Sequence, residues 1–264
     1  MQAQDRRRFT APEGAAPLRF NDPTDAQSSP PSTSRLDGRE AAQVRPVFLK
    51  PGLVTEAAGS AYVEAGRTKV LCAVYGPKPT PPSAPFNAKA RLNVEVKFAP
   101  FASGVRRFVP GKDTEATALA AVVQQSLVPS LLLETMPKSQ IDLFVTVLES
   151  DGWDGDLSIG VTAASVALAE AGIGMRGIVT SCSAAILPST STAVLDPTRD
   201  EVQKAASFVT LACMPALGTV TNLRVNGVVA SDALAETLAR AYEVCGLLHG
   251  VAGQALLAAR QAAD

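Results

Sequence analysis

From residue 45 onward, apolar and polar residues alternate in short runs broken by glycine and proline. Residues 47–49, 53–57 and 59–65 are strand-like. In the last run Ala61, Val63 and Ala65 alternate with Tyr62 and Glu64, the period of two of a half-buried strand. Gly66-Arg67 predicts a turn. Residues 68–75 are nearly all apolar, as a central strand is, and Gly76-Pro77 predicts its end. Strands joined by such tight turns predict an antiparallel meander. Residues 90–98 set Leu92, Val94 and Val96 against charged neighbours and read as another strand. Beyond a Gly/Pro-punctuated loop at 100–112, Asp113 is a candidate N-cap. Its helix carries Glu115 in the first turn and runs through Leu119, Val122, Val123, Ser126 and Leu127.

The second half continues in the same style. Residues 141–148 predict a strand, 149–156 an acidic, glycine-rich turn, and 159–171 a helix of small residues ended by Gly172 and Gly174. Four more strands are expected over 177–187, 191–196, 206–214 and 220–225. A last helix is expected over 231–259, with Ser231 as N-cap. It places Leu234, Leu238, Ala241, Cys245, Leu248 and Ala252 on one face, and Gly246, Gly250 and Gly253 weaken or bend it. The order of elements is α+β, with mixed sheets packed against helices. Residues 1–42 are rich in Pro, Ser, Asp and Arg without apolar periodicity. They read as a flexible tail ahead of a single domain over 43–264.

Composition narrows the chemistry. The 264 residues are 47% hydrophobic, enough for a sizeable core, and carry a net charge of −1. Bulk charge therefore does not point to a strongly basic nucleic-acid binder. The average conceals +2 over residues 1–50, +4 over 51–138 and −7 over 139–264. Lys89, Arg91, Lys97, Arg106, Arg107 and Lys112 fall close together, as a solvated edge or as a patch for a polyanion. The single histidine, His249, excludes a multi-histidine metal site. The four cysteines form no C-x-x-C pair, so reduced thiols in an intracellular protein are expected. The polar start shows no secretory pattern, and no run of residues predicts a membrane span.

The meander supplies a more specific signal. Gly59, Ser60, Ala61, Val63, Gly66, Thr68, Val70, Leu71, Val74, Gly76 and Pro77 stand in one uninterrupted block that resembles the opening of the ribonuclease PH family. Residues 141–152, 161–172 and 194–198 resemble later blocks of that family in the same order, so the likeness spans roughly residues 45–260. It implies a ribonuclease PH-like fold, also described as ribosomal protein S5 domain 2-like. The family resembles phosphorolytic exoribonucleases, whose chemistry needs an anion pocket for phosphate and carboxylates for a metal or acid catalysis. Active members supply the pocket from an arginine-bearing turn. Here that turn is Asp151-Gly152-Trp153-Asp154-Gly155-Asp156-Leu157. No Lys, Arg or His occurs between Lys138 and Arg176, and three carboxylates would repel a phosphate dianion. Active members also place two aspartates six residues apart after the Leu-Asp segment. Counted from Leu195-Asp196, those positions hold Val202 and Phe208. Asp196 itself reads as a turn residue before Pro197.

The resemblance thus implies a non-catalytic member, with no catalytic residue, cofactor or metal expected. Such chains resemble ring subunits of the eukaryotic RNA exosome, and Gln4 to Arg8 with Leu195-Asp196-Pro197-Thr198 resemble one ring subunit in particular. The implied partners are sister ribonuclease PH-like subunits in a six-membered ring, RNA-binding cap subunits, single-stranded RNA in the central channel and an associated catalytic exoribonuclease. No membrane is implied. The implied processes are 3′-to-5′ processing and decay of rRNA, mRNA and aberrant transcripts in nucleus, nucleolus and cytoplasm. Arg106, Arg107, Lys112, Lys89 and Arg91 are the candidate RNA contacts. Two alternatives are an active phosphate-dependent exoribonuclease with a diverged site and an independent RNA-binding module.

Overall fold

The structure is a computed structural model that describes residue 35 and residues 37–81, 86–103, 113–187 and 193–263. The chain divides into residues 1–39 and residues 40–264. In the first part, Asp37 accepts a hydrogen bond from Arg39 Nε at 2.5 Å.

The second part is built on two sheets. Strands β1 (Val47–Pro51), β2 (Gly59–Ala65) and β3 (Thr68–Pro79) form the antiparallel meander. β5 (Ser139–Glu149) pairs with β3. β4 (Arg91–Phe98) lies parallel to β5 at the edge, giving the order β1-β2-β3-β5-β4. A parallel pair needs a long crossover, and α1 (Thr114–Leu127) lies within it. Asp113 caps α1 by accepting from the amides of Glu115 and Ala116, and Leu119, Val123 and Leu127 face the core. The second sheet has the order β7-β6-β8-β9 and is antiparallel throughout, with β6 (Thr180–Ile186), β7 (Ala193–Leu195), β8 (Ser207–Met214) and β9 (Thr219–Gly227).

Between the sheets runs α2 (Trp153–Glu170), buried almost without break from Gly155 to Leu168. A helix enclosed on all sides cannot be amphipathic, and its glycines, alanines and serines let strands approach closely. Gly59 is the tightest approach: a Cβ there would lie 2.4 Å from both Ala167 O and Ala171 N. The last helix, α4 (Ser231–Ala263), buries Thr237, Ala241, Val244, Cys245 and Ala252.

Five local expectations change. Residues 53–57 form a turn rather than a strand. Gly52 leaves β1 at φ +74°, and the Ser60 hydroxyl accepts from the Val54 amide. Gly76-Pro77 does not end β3, which continues past a register shift to Pro79. The acidic turn is short, because Asp154 and Asp156 already belong to the first turn of α2, where carboxylates favour the helix dipole. A short helix, α3 (Arg199–Lys204), follows Thr198, where a capping box joins Thr198 and Glu201. Ser231 is inside α4 rather than its cap: the Leu234 amide bonds Ala230 O, and the Ser231 hydroxyl donates to Asp232. Among the described residues, no helix is long and apolar enough to cross a membrane.

Candidate nucleic-acid site

Of the candidate RNA contacts, Arg106, Arg107 and Lys112 lie outside the described residues. Lys89 and Arg91 are described. Lys89 is exposed and pairs with Glu134 at 2.9 Å. Arg91 is exposed at the first position of β4.

The turn before α2 is not the repulsive surface that its composition implies. Cations arrive from distant segments. Arg45, only 7% exposed, donates from Nε and Nη2 to Asp196 at 2.8 and 2.6 Å and from Nη1 to Asp151 at 2.9 Å. Its backbone amide also donates to Asp196, which sits at φ +49°. The neighbouring carboxylates hold the Arg45 pKa above its ordinary value despite its burial. Asp151 accepts in addition from the Arg199 backbone amide. Burial still raises its pKa, with Arg45 opposing. Asp156 is buried and accepts from the Ser150 hydroxyl at 2.5 Å.

Asp154 is buried between α2 and the second sheet. Thr210 Oγ1 donates to it at 3.5 Å, and Arg224 on β9 is its nearest cation. Burial raises its pKa, against Arg224 and Thr210. The Arg224 guanidinium stacks on Trp153, 4.0 Å from the ring centre, so the one tryptophan is packed at the helix start. Each of the three carboxylates is thus engaged within the protein. Val202 on α3 and Phe208 on β8 occupy the two positions counted for the acid pair. Neither side chain can ligate a metal or transfer a proton. Among the described residues, no cluster of His, Cys, Asp and Glu could hold a metal ion.

Beside this turn lies an open cleft of about 1030 Å³, lined by Arg67, Lys69, Phe101, Ser103, Ser150 and Arg199 among others. Arg67 and Arg199 are exposed and make no ion pair among the described residues. Sequence reasoning passed over both. Arg67 looked like half of a turn, and Arg199 belongs to a helix whose Thr198-x-x-Glu201 capping signature was readable but unread.

Residues 43–174 match the family described as RNase PH, the 3′ exoribonuclease family, domain 1. The chain is 35% identical over 269 residues to the human protein named exosome complex component MTR3, an alignment covering 97% of this chain and 95% of that one. It is 37% identical over 205 residues to exosome complex component Rrp41 of Pyrococcus furiosus, covering 77% of this chain and 80% of that protein. Among solved structures, rice Rrp46 superposes with a TM-score of 0.73 at 24% identity, over 84% of this chain and all of that one. A chain of the Archaeoglobus fulgidus exosome with RNA bound to the active site superposes at 0.70 and 23% identity, over 82% of this chain and 92% of its own length. The meander, the enclosed central helix and these matches agree: the chain belongs to the ribonuclease PH-type 3′ exoribonuclease family.

Proposed function

We propose that this chain is a non-catalytic structural subunit of an RNA exosome core ring. It helps form the channel that guides RNA for 3′-to-5′ processing and degradation of rRNA, mRNA and aberrant transcripts. One observation carries the non-catalytic reading. Val202 and Phe208 stand where phosphorolysis needs an acid pair, and the turn that should receive phosphate is filled by carboxylates already bound to the protein's own donors. The likeness to MTR3 over 97% of the chain supports a ring role, and the terminal motifs favour that subunit, also called mRNA transport regulator three or exosome component six.

Within such a ring, the domain from residue 43 onward meets a sister subunit through a shared sheet and helix interface. The outer edge of β9 fits this role, because Val220, Leu223 and Val225 are exposed there and its outward backbone groups have no neighbouring strand. Cap subunits and a catalytic exoribonuclease complete the assembly, in nucleus, nucleolus and cytoplasm. Arg106, Arg107, Lys112, Lys89 and Arg91 contact RNA phosphates in the channel, without sequence preference.

Incubating the purified chain with RNA and inorganic phosphate should release no nucleoside diphosphate. Phosphate-dependent release that disappears on changing Asp200 and Glu201 would overturn the non-catalytic reading. Co-purification followed by mass spectrometry should recover the other ring and cap subunits. The Arg106→Glu, Arg107→Glu pair should shorten the RNA protected by the assembled ring. Unchanged protection would remove the channel contact.

A further inference from the structure

We infer that the cleft between the β2–β3 hairpin, the segment after β4 and α3 holds one or two nucleotides of a single-stranded polynucleotide, with a base on Phe101 and phosphates on Arg67 and Arg199. The inference rests on the ring-subunit reading for its supply of RNA. It assigns this chain a contact separate from the basic loop at 100–112.

Three rigid supports hold these side chains outward. Gly66 turns the hairpin at φ +56°, and a Cβ there would lie 2.7 Å from Arg45 Cδ. The Arg45 stem therefore fills the space beneath the hairpin, while Arg67 next to it stands in solvent. Arg199 opens α3, fixed by the capping box in which Glu201 accepts from the Thr198 amide at 2.8 Å. Its backbone amide is committed to Asp151, while its guanidinium extends into the cleft. Phe101 is 74% exposed although its flanks are anchored. Ala99 and Ala102 are buried, the Ala99 amide bonds Val147 O at 2.9 Å, and the Ser150 amide bonds Ala102 O at 2.8 Å. An aromatic ring tethered in this way offers a stacking face that needs little ordering on binding.

Charge balance favours an anionic ligand. The two carboxylates on the wall are already neutralised: Glu149 pairs with Lys69 at 3.0 Å and Asp151 with Arg45 at 2.9 Å. That leaves two guanidinium groups without partners in the same cleft. Guanidinium forks suit phosphate oxygens, and the neighbouring ring suits a base. An acidic peptide would use the arginines but leave Phe101 idle.

The test is fluorescence anisotropy with labelled oligouridylate and its oligothymidylate counterpart. It uses the full-length chain at low ionic strength and again after reconstitution with sister subunits. Arg67→Glu with Arg199→Glu should weaken binding about tenfold and lower the salt slope by about two. Phe101→Ala should weaken it about tenfold with the salt slope unchanged. All three positions are exposed, and circular dichroism checks that the variants fold. Unchanged affinity in the folded variants overturns the cleft, as does equal competition by oligoglutamate together with a silent Phe101→Ala. Native mass spectrometry of the ring separates the two readings. A ring that forms with silent cleft variants sinks the cleft alone. Cleft variants that lose affinity without any ring sink the ring reading alone.

Discussion

Arg45 brings one cation to two carboxylates that lie 106 and 151 residues away in the chain. Removing it would leave both acids partly buried without a counter-charge, a change that usually costs about 3–5 kcal/mol. Arg45→Ala should therefore destabilise by that order in chemical denaturation. Arg45→Lys should recover little, because an ammonium cannot reproduce the two-pronged contact with Asp196. A smaller effect than about 1 kcal/mol would mean that solvent already screens the group.

Asp154 makes the opposite prediction. Its folded pKa lies above its ordinary value, so the folded state holds this proton more tightly than the unfolded state. Stability from this group is therefore full below the unfolded pKa and is lost as pH rises through the folded one. Asp154→Asn should raise the melting temperature at pH 7, and the difference should vanish in acid. A variant less stable than the parent at pH 7 would show that the Arg224 attraction outweighs burial. None of this was legible in the sequence. The aspartates were visible, but their donors are Arg45, Ser150, Thr210 and Arg224, which only the fold gathers.

At the scale of elements, α2 and α4 make contrasting demands on glycine. Gly59 on β2 faces α2 backbone atoms at 2.4 Å, which cannot swing aside as a side chain can. Gly59→Ala should cost about 1–3 kcal/mol through overpacking. Gly246 within α4 has open space around its missing Cβ. Gly246→Ala should stabilise by about 1 kcal/mol, the helix-propensity difference. Thermal melts of the two variants would compare them directly. The strands β2, β4, β5 and β8 could be read from the chain because period-two alternation or a continuous apolar run marks them. The beginning of α2 could not, because Gly-Trp-Asp-Gly-Asp has the composition of a turn and is helical only through its enclosure between two sheets. Residues 53–57 failed for the converse reason. Their apolar composition suited a strand, but the left-handed backbone at Gly52 had already turned the chain away from the sheet.

At the scale of the molecule, the basic front and acidic back found in the sequence are less separate than they look. Arg45 and Arg67 reach the turn at Asp151, and Arg199 reaches it from the acidic half. The family was legible because the meander's residues form one contiguous block, whereas the cleft was not, because its walls come from four separate stretches. The second sheet likewise appeared as strands without an order. Its β7-β6-β8-β9 arrangement depends on long-range pairing, and its free β9 edge, with Val220, Leu223 and Val225 outward, emerges only in the fold.

The Arg45–Asp196 contact also sets a schedule for biosynthesis. Asp196 is added 151 residues after Arg45. At about 5–20 residues per second, residues 41–45 therefore wait roughly 8–30 s before their dock exists. The Leu195 amide, which bonds Ala41 O, arrives on the same schedule. β1 to β3 can pair meanwhile, but their leading segment has nothing to hold. Nascent chains stalled at residue 187 should be cut by thermolysin before Val44, and full-length chains released into solution should resist. Equal resistance in both would show that the segment docks on the meander alone.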